Sequence, residues 1–103
     1  MIPMFTDPWV HIEKDSTFHI EELKKELSRD HLLFGVNLYP VAKRIDNDTV
    51  CFHEVNGDER YFEVHLTWSG KVEVDNFPKT IVYKDFDDWF VNKCLLEQNK
   101  WID

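Results

Sequence analysis

His65 and Glu73 are the pair of side chains in this sequence with the most direct chemical use. Facing each other across two strands, the carboxylate would fix the imidazole tautomer and hold its proton, which is the arrangement of a general base. Cys51 would gain thiolate character beside Arg44, because a neighbouring cation favours the charged sulfur. Cys51, His53, Glu63 and His65 are also all zinc-ligand types. Their spacing matches no zinc motif, and two flat strands would spread them instead of converging them on one ion. No metal and no cofactor is therefore expected. Ser69-Gly70-Lys71 lacks the preceding glycine of a phosphate loop, and no nucleophile elbow surrounds Ser69.

These side chains can meet only if short strands present them. Val41 to Asp46, Thr49 to Val55, Tyr61 to Thr67 and Lys71 to Asp75 alternate with period two and read as four strands. Asn47-Asp48 suits a two-residue hairpin loop. Asn56-Gly57-Asp58 and Trp68-Ser69-Gly70 suit three-residue loops, with Gly70 at the left-handed position. Register follows from matching the apolar faces, since a one-residue slip inverts every side chain. The match sets Phe52 opposite Phe62, Val50 opposite Val64, Glu54 opposite Arg60, Leu66 opposite Val72 and Val64 opposite Val74. One face is then apolar: Ile45, Val50, Phe52, Phe62, Val64, Leu66, Val72 and Val74. The other presents Arg44 beside Cys51, Cys51 beside Glu63, His53 beside Tyr61, and His65 beside Glu73, with Thr49, Thr67 and Lys71 nearby.

Two helices flank the strands. Ser16 is placed to cap one that runs from Phe18 to Arg29 and buries Ile20, Leu23 and Leu27. Asp85 is placed to cap a second, whose stripe is Phe86, Trp89, Phe90 and Cys94. Residues 1–15 read as an extended arm tied down by Trp9, Val10 and Ile12. Thr80 to Tyr83 reads as a short extended piece, and Trp68 is expected to fold back on the core. The expectation is a single α+β domain: a four-stranded antiparallel meander with an N-terminal and a C-terminal helix packed on one face. The polar face would stay open to solvent.

Charge narrows the ligands. Twelve Lys and Arg oppose twenty Asp and Glu, for a formal charge of −8. Binding a phosphate backbone or an anionic membrane requires a basic stripe, and only Lys24-Lys25 and Lys43-Arg44 come near one. A basic protein partner is the complementary choice. Cys51 and Cys94 have no paired spacing and are expected on opposite sides of the sheet, unbridged, as in a reducing compartment. The first residues lack a signal-peptide pattern and no apolar run is long enough to span a bilayer, so the expected location is the cytoplasm.

The segment His65-Leu66-Thr67-Trp68-Ser69-Gly70-Lys71, followed by Phe77-Pro78-x-Thr80 and Tyr83-x-x-Phe86-x-x-Trp89, resembles a recurring signature of small uncharacterised bacterial proteins. Arg44-x-Asp46-x-Asp48 is similar to the lead-in of the same family. The resemblance spans residues 38–90. It implies a small cytoplasmic bacterial domain and carries over no catalytic residue.

The expected function is a non-enzymatic protein- or ligand-binding module. Its surface would be the open sheet face around Arg44, Tyr61, His65, Trp68, Lys71 and Glu73. An acidic inhibitor or immunity-type protein that blocks a basic toxin or nuclease is one concrete version. The alternative is a small enzyme or metal-binding protein acting through His65, Glu73 and Cys51. Homodimerisation through the same face or an edge strand is a third possibility.

Overall fold

A computed structural model describes residues 5–13, 16–74 and 77–101. The chain is α+β. Five strands form one antiparallel meander in the order β1-β2-β3-β4-β5: β1 (Trp9–His11), β2 (Leu38–Arg44), β3 (Thr49–Glu54), β4 (Tyr61–His65) and β5 (Lys79–Tyr83). Helix α1 (Phe18–Glu26) lies between β1 and β2. Helix α2 (residues 86–101) follows β5; it is α-helical over Phe86–Trp89 and Leu95–Trp101, with a wider π-helical turn at Phe90–Cys94 between them.

The centre of the sheet has the register that the apolar match dictates. Phe52 pairs with Phe62, Val50 with Val64, Cys51 with Glu63 and His53 with Tyr61. The Glu54 amide also donates to the Arg60 carbonyl at 2.8 Å. A Cβ at Gly57 in the following loop would stand 2.9 Å from Glu54 Oε2, so a larger residue there would push the Glu54 carboxylate aside.

The flanks differ from the expected four strands. The arm's Trp9–His11 becomes an edge strand on β2, and Trp9 is wholly buried. The other edge is β5, not Lys71 to Asp75: Val64 pairs with Thr80 and His65 with Lys79. Gly70 does turn left-handed (φ +71°), but the chain leaving it does not return along β4. Instead the Glu73 amide donates to the Glu26 carbonyl at 2.9 Å, drawing the segment toward α1. Val72 and Val74, expected in the core, are exposed. Asp75 lies outside the described residues.

Both faces of the sheet are covered, which corrects the expectation that the two helices share one. Val50, Phe52, Phe62, Val64 and Leu66 point to the first face and pack with Leu23, Leu27, Leu33 and Leu38. Cys51 and Ala42 point to the second face and pack with Trp9, Trp89 and Cys94, joined by Tyr61, Tyr83, Phe86 and Phe90. Alternation along a strand makes these opposite sides, so α1 covers one and α2 the other. The expected α2 stripe of Phe86, Trp89, Phe90 and Cys94 is the one in use. Asp85 caps α2, accepting from the Asp88 amide at 2.8 Å. The cap position of α1 is Thr17, not Ser16; its hydroxyl donates to Glu21 and makes no cap bond to the backbone.

Candidate functional site

The six residues expected to form one binding surface are dispersed. A bulge between Pro40 and Ala42 shifts β2, so Ala42 and not Arg44 stands opposite Cys51. Ile45, expected on the apolar face, is exposed. Arg44 instead joins an ion-pair network, 2.8 Å from Asp46 and 2.7 Å from Glu97 of α2. Glu97 also accepts from Trp9 Nε1 at 2.9 Å, so these charges tie α2 to the β1 edge. Tyr61 sits under the start of α2, stacked on His53 at 4.5 Å and packed against Trp89 and Phe86.

Trp68 turns to the first face, as expected, and stacks on Phe18 at 5.1 Å. Lys71 is exposed. Glu73 is paired not with His65 but with the Thr67 hydroxyl, which donates to it at 2.8 Å. That bond and one from Ser69 hold its carboxyl below the usual range.

The chemical alternative loses its constellation for the same reason. His65 stands between Thr49 and Lys79, with Thr49 Oγ1 3.5 Å from its Nδ1. Cys51 is sealed under α2, and its thiol is pushed well above the ordinary value by burial and then by the nearby Glu63. Cys94, expected across the sheet, lies in the same cluster with its thiol pushed up to about 12, chiefly by burial. Both are free thiols. Low thiolate content and no access both suppress reaction. Neither cysteine should be alkylated by iodoacetamide in the native protein at pH 8, whereas two should be alkylated in denaturant. Rapid native labelling of either one would contradict the burial described. Among the described residues no three His, Cys, Asp or Glu side chains gather closely enough to hold a metal ion.

What α2 leaves uncovered on its face of the sheet is a groove of about 1000 Å³. Thr49, Glu63 and His65 of β3 and β4 form its floor, and Lys79 and Ile81 of β5 continue it to the sheet edge. Lys93 of α2 also lines it, with Asp30, Leu32 and Phe77. His31 ties the loop after α1 to the segment entering β5: its Nε2 lies 2.9 Å from the Pro78 carbonyl, and the Leu33 amide donates to its Nδ1 at 3.1 Å. In a chain of charge −8, the two lysines of this lining, Lys79 and Lys93, balance its two acids, Asp30 and Glu63, so the groove is far less acidic than the chain as a whole.

The floor holds an unusual acid. Glu63 is 5% exposed. Its Oε2 accepts from Trp89 Nε1 at 3.2 Å and from the Tyr83 hydroxyl at 3.3 Å. Burial pushes its carboxyl above the ordinary value, and Lys93 draws it back. Tyr83 is raised in turn, by burial and then by the carboxylate it serves.

Of the expected surface only His65 enters the groove. Lys79, Lys93, Phe77 and Ile81 were not anticipated. The alternation Lys79, Ile81, Tyr83 marks one face of a strand, and Lys93 is one turn beyond Trp89 on the helix. Both signals become readable once β5 is recognised as a full strand. Comparison with known proteins adds no family: no family model matches the chain, and no curated protein or solved structure matches it.

Proposed function

We propose that this protein is a non-enzymatic binding module whose ligand occupies the groove between α2 and the β5 edge. The observation that carries the reading is the composition of that concavity. Beside exposed apolar Ile81 and Phe77 stands Lys79, which has no ion-pair partner among the described residues, while Lys93, Asp30 and Glu63 supply further charges of both signs. Ligand sites combine an apolar wall with a few convergent polar groups, and this groove has both. Its ligand carries an anionic group and an apolar body. The basic protein partner suggested by the net charge is not complementary to Lys79; in this reading it would meet the acidic remainder of the surface.

The test is a titration of isotope-labelled protein with 3-phenylpropionate, followed by amide chemical shifts. Shifts should concentrate at Thr49, His65, Lys79 and Lys93 and should vanish in a Lys79→Glu, Lys93→Glu double variant whose other resonances stay in place. Shifts spread evenly over the surface, or none up to about 10 mM (a limit near −3 kcal/mol of affinity), would reject the groove as a ligand seat.

A further inference from the structure

Resting on that reading of the groove, we infer that its ligand is a zwitterion of short-peptide size, with a free ammonium seated on Glu63 and a free carboxylate reaching Lys79. Glu63 is the reason for the ammonium. It is nineteen-twentieths buried, and both donors that reach it serve the same oxygen, Oε2. Among the described residues no donor reaches Oε1, and no lysine, arginine or histidine nitrogen lies within 4.0 Å of the carboxylate. A buried carboxylate without a cation is costly, and a ligand that brings one converts that cost into a charge-assisted bond. The free oxygen is not sealed in the core, because Glu63 lines the groove and Oε1 is not among the fully enclosed polar atoms that lack a partner.

The opposite charge of the ligand has a separate place. Lys93 is already held by Glu97 at 3.3 Å. Lys79 has no carboxylate within ion-pair distance among the described residues and lies 5.8 Å over the Phe77 ring at the outer end of the groove. Glu63 on the floor and Lys79 at the strand edge thus offer two opposite charges, which a molecule with a single charge cannot satisfy together. The apolar residues between and beside them, Ile81, Phe77 and Leu32, are all exposed and suit a side chain of the ligand. The volume, about 1000 Å³, is at the upper end of the range for small-molecule sites. It suits a few linked residues better than one free amino acid.

The experiment uses the full chain and the tripeptide alanyl-phenylalanyl-alanine in three forms: free, N-acetylated and C-amidated. Binding is read by calorimetry and by amide shifts. The free peptide should bind, and each blocking group should weaken it at least about tenfold, equivalent to 1.4 kcal/mol. Glu63→Gln should erase the penalty for N-acetylation and keep the penalty for C-amidation; Lys79→Ala should do the reverse. The blocked peptides test the idea on the native protein, so a Glu63→Gln variant that folds poorly does not decide it. Equal binding of the free and N-acetylated forms overturns the zwitterion. So does failure of the free peptide where 3-phenylpropionate still moves the groove resonances, and in that case the groove reading survives. Silence of all the peptides and of 3-phenylpropionate overturns both.

Discussion

Trp89→Ala should destabilise the protein by about 4 kcal/mol, the middle of the range for removing a large aromatic side chain from a core. Trp89 has no exposed surface. It meets Trp9 edge-on at 5.2 Å, lies parallel to Tyr61 at 6.3 Å and packs on Phe86 and Phe5. Its truncation opens a cavity where β1, the sheet and α2 join, and it strips Glu63 of the Nε1 donor. Since small domains are stable by about 5–15 kcal/mol in all, much of the total rests on this one residue. Trp89→Phe keeps most of the packing and loses the N–H, so about 1–2 kcal/mol is expected. Urea unfolding of the two variants measures both. A cost below about 1 kcal/mol for alanine would mean that α2 does not cover the second face of the sheet.

That second face is where sequence reasoning and structure part. Strands β3 and β4 were legible because Val50, Phe52, Phe62 and Val64 have to match, and only one register lets them. The face carrying Cys51, Tyr61, Glu63 and His65 reads as solvated because its residues are mixed: a thiol, a phenol, an acid and a histidine. Polarity along a strand does not reveal whether a helix lies above it. The decisive clue was in the helices. Phe86, Trp89 and Phe90 form a stripe too large to share one small sheet face with Leu23 and Leu27, and Trp9 needed cover as well. The expected strand Lys71 to Asp75 fails for a similar reason. Val72 and Val74 alternate like a strand, but the place beside β4 goes to Lys79–Tyr83. No local signal ranks two candidate strands for one edge.

The candidate site was legible only in part. His65 was singled out and does line the groove, but with Thr49 and Lys79 as neighbours in place of Glu73. Long-range placement decided the rest, since the groove joins residues from the loop after α1, three strands and α2. The heptapeptide His65 to Lys71 carries the resemblance to a family signature, and its middle part has a physical role in this fold. Two acids of α1, Glu22 and Glu26, are buried and hold this loop. Their spacing of four places both on the face that carries Leu23. An acid pair flanking an apolar stripe was a signal that could have been used.

Raising the pH through about 7 should weaken the protein, and the cause should be traceable to Glu26. Its side chain is fully buried. It accepts from the Thr67 amide at 3.0 Å and from the Trp68 amide at 2.9 Å, while Glu22 accepts from the Gly70 amide at 3.0 Å. Burial, and then the hydrogen bond with Glu22, raises the Glu26 carboxyl to about 7; the same shared bond lowers Glu22. The pair therefore retains one proton in the folded state where the unfolded chain has lost both. A raised carboxyl stabilises the fold below its unfolded value, and that contribution is lost as pH rises through the folded one. The depressed Glu22 contributes above its unfolded value and loses its contribution as pH falls through its own lowered one. The clamp is therefore strongest in weak acid, and about 2 kcal/mol should disappear between pH 5.5 and 8.

The neighbours are separable. His19, which packs on Trp68, is depressed by burial and then by Lys43, so it adds a slope of opposite sign below neutrality. Glu73, lowered by Thr67 and Ser69, is ionised throughout this window. Glu26→Ala leaves two loop amides unsatisfied over a cavity and should cost about 3 kcal/mol at pH 6. Glu26→Gln imitates the protonated acid, with its oxygen facing the amides and its NH2 donating to Glu22. It should sit within about 1 kcal/mol of the native protein at pH 6 and be the more stable of the two at pH 8. Urea midpoints at both pH values test the ordering. A native profile that stays flat through neutrality, or a glutamine variant that keeps the native decline, would remove the shared proton from the clamp. The consequence reaches the groove because Thr67, which Glu26 holds by its amide, lines it at the end beside His65.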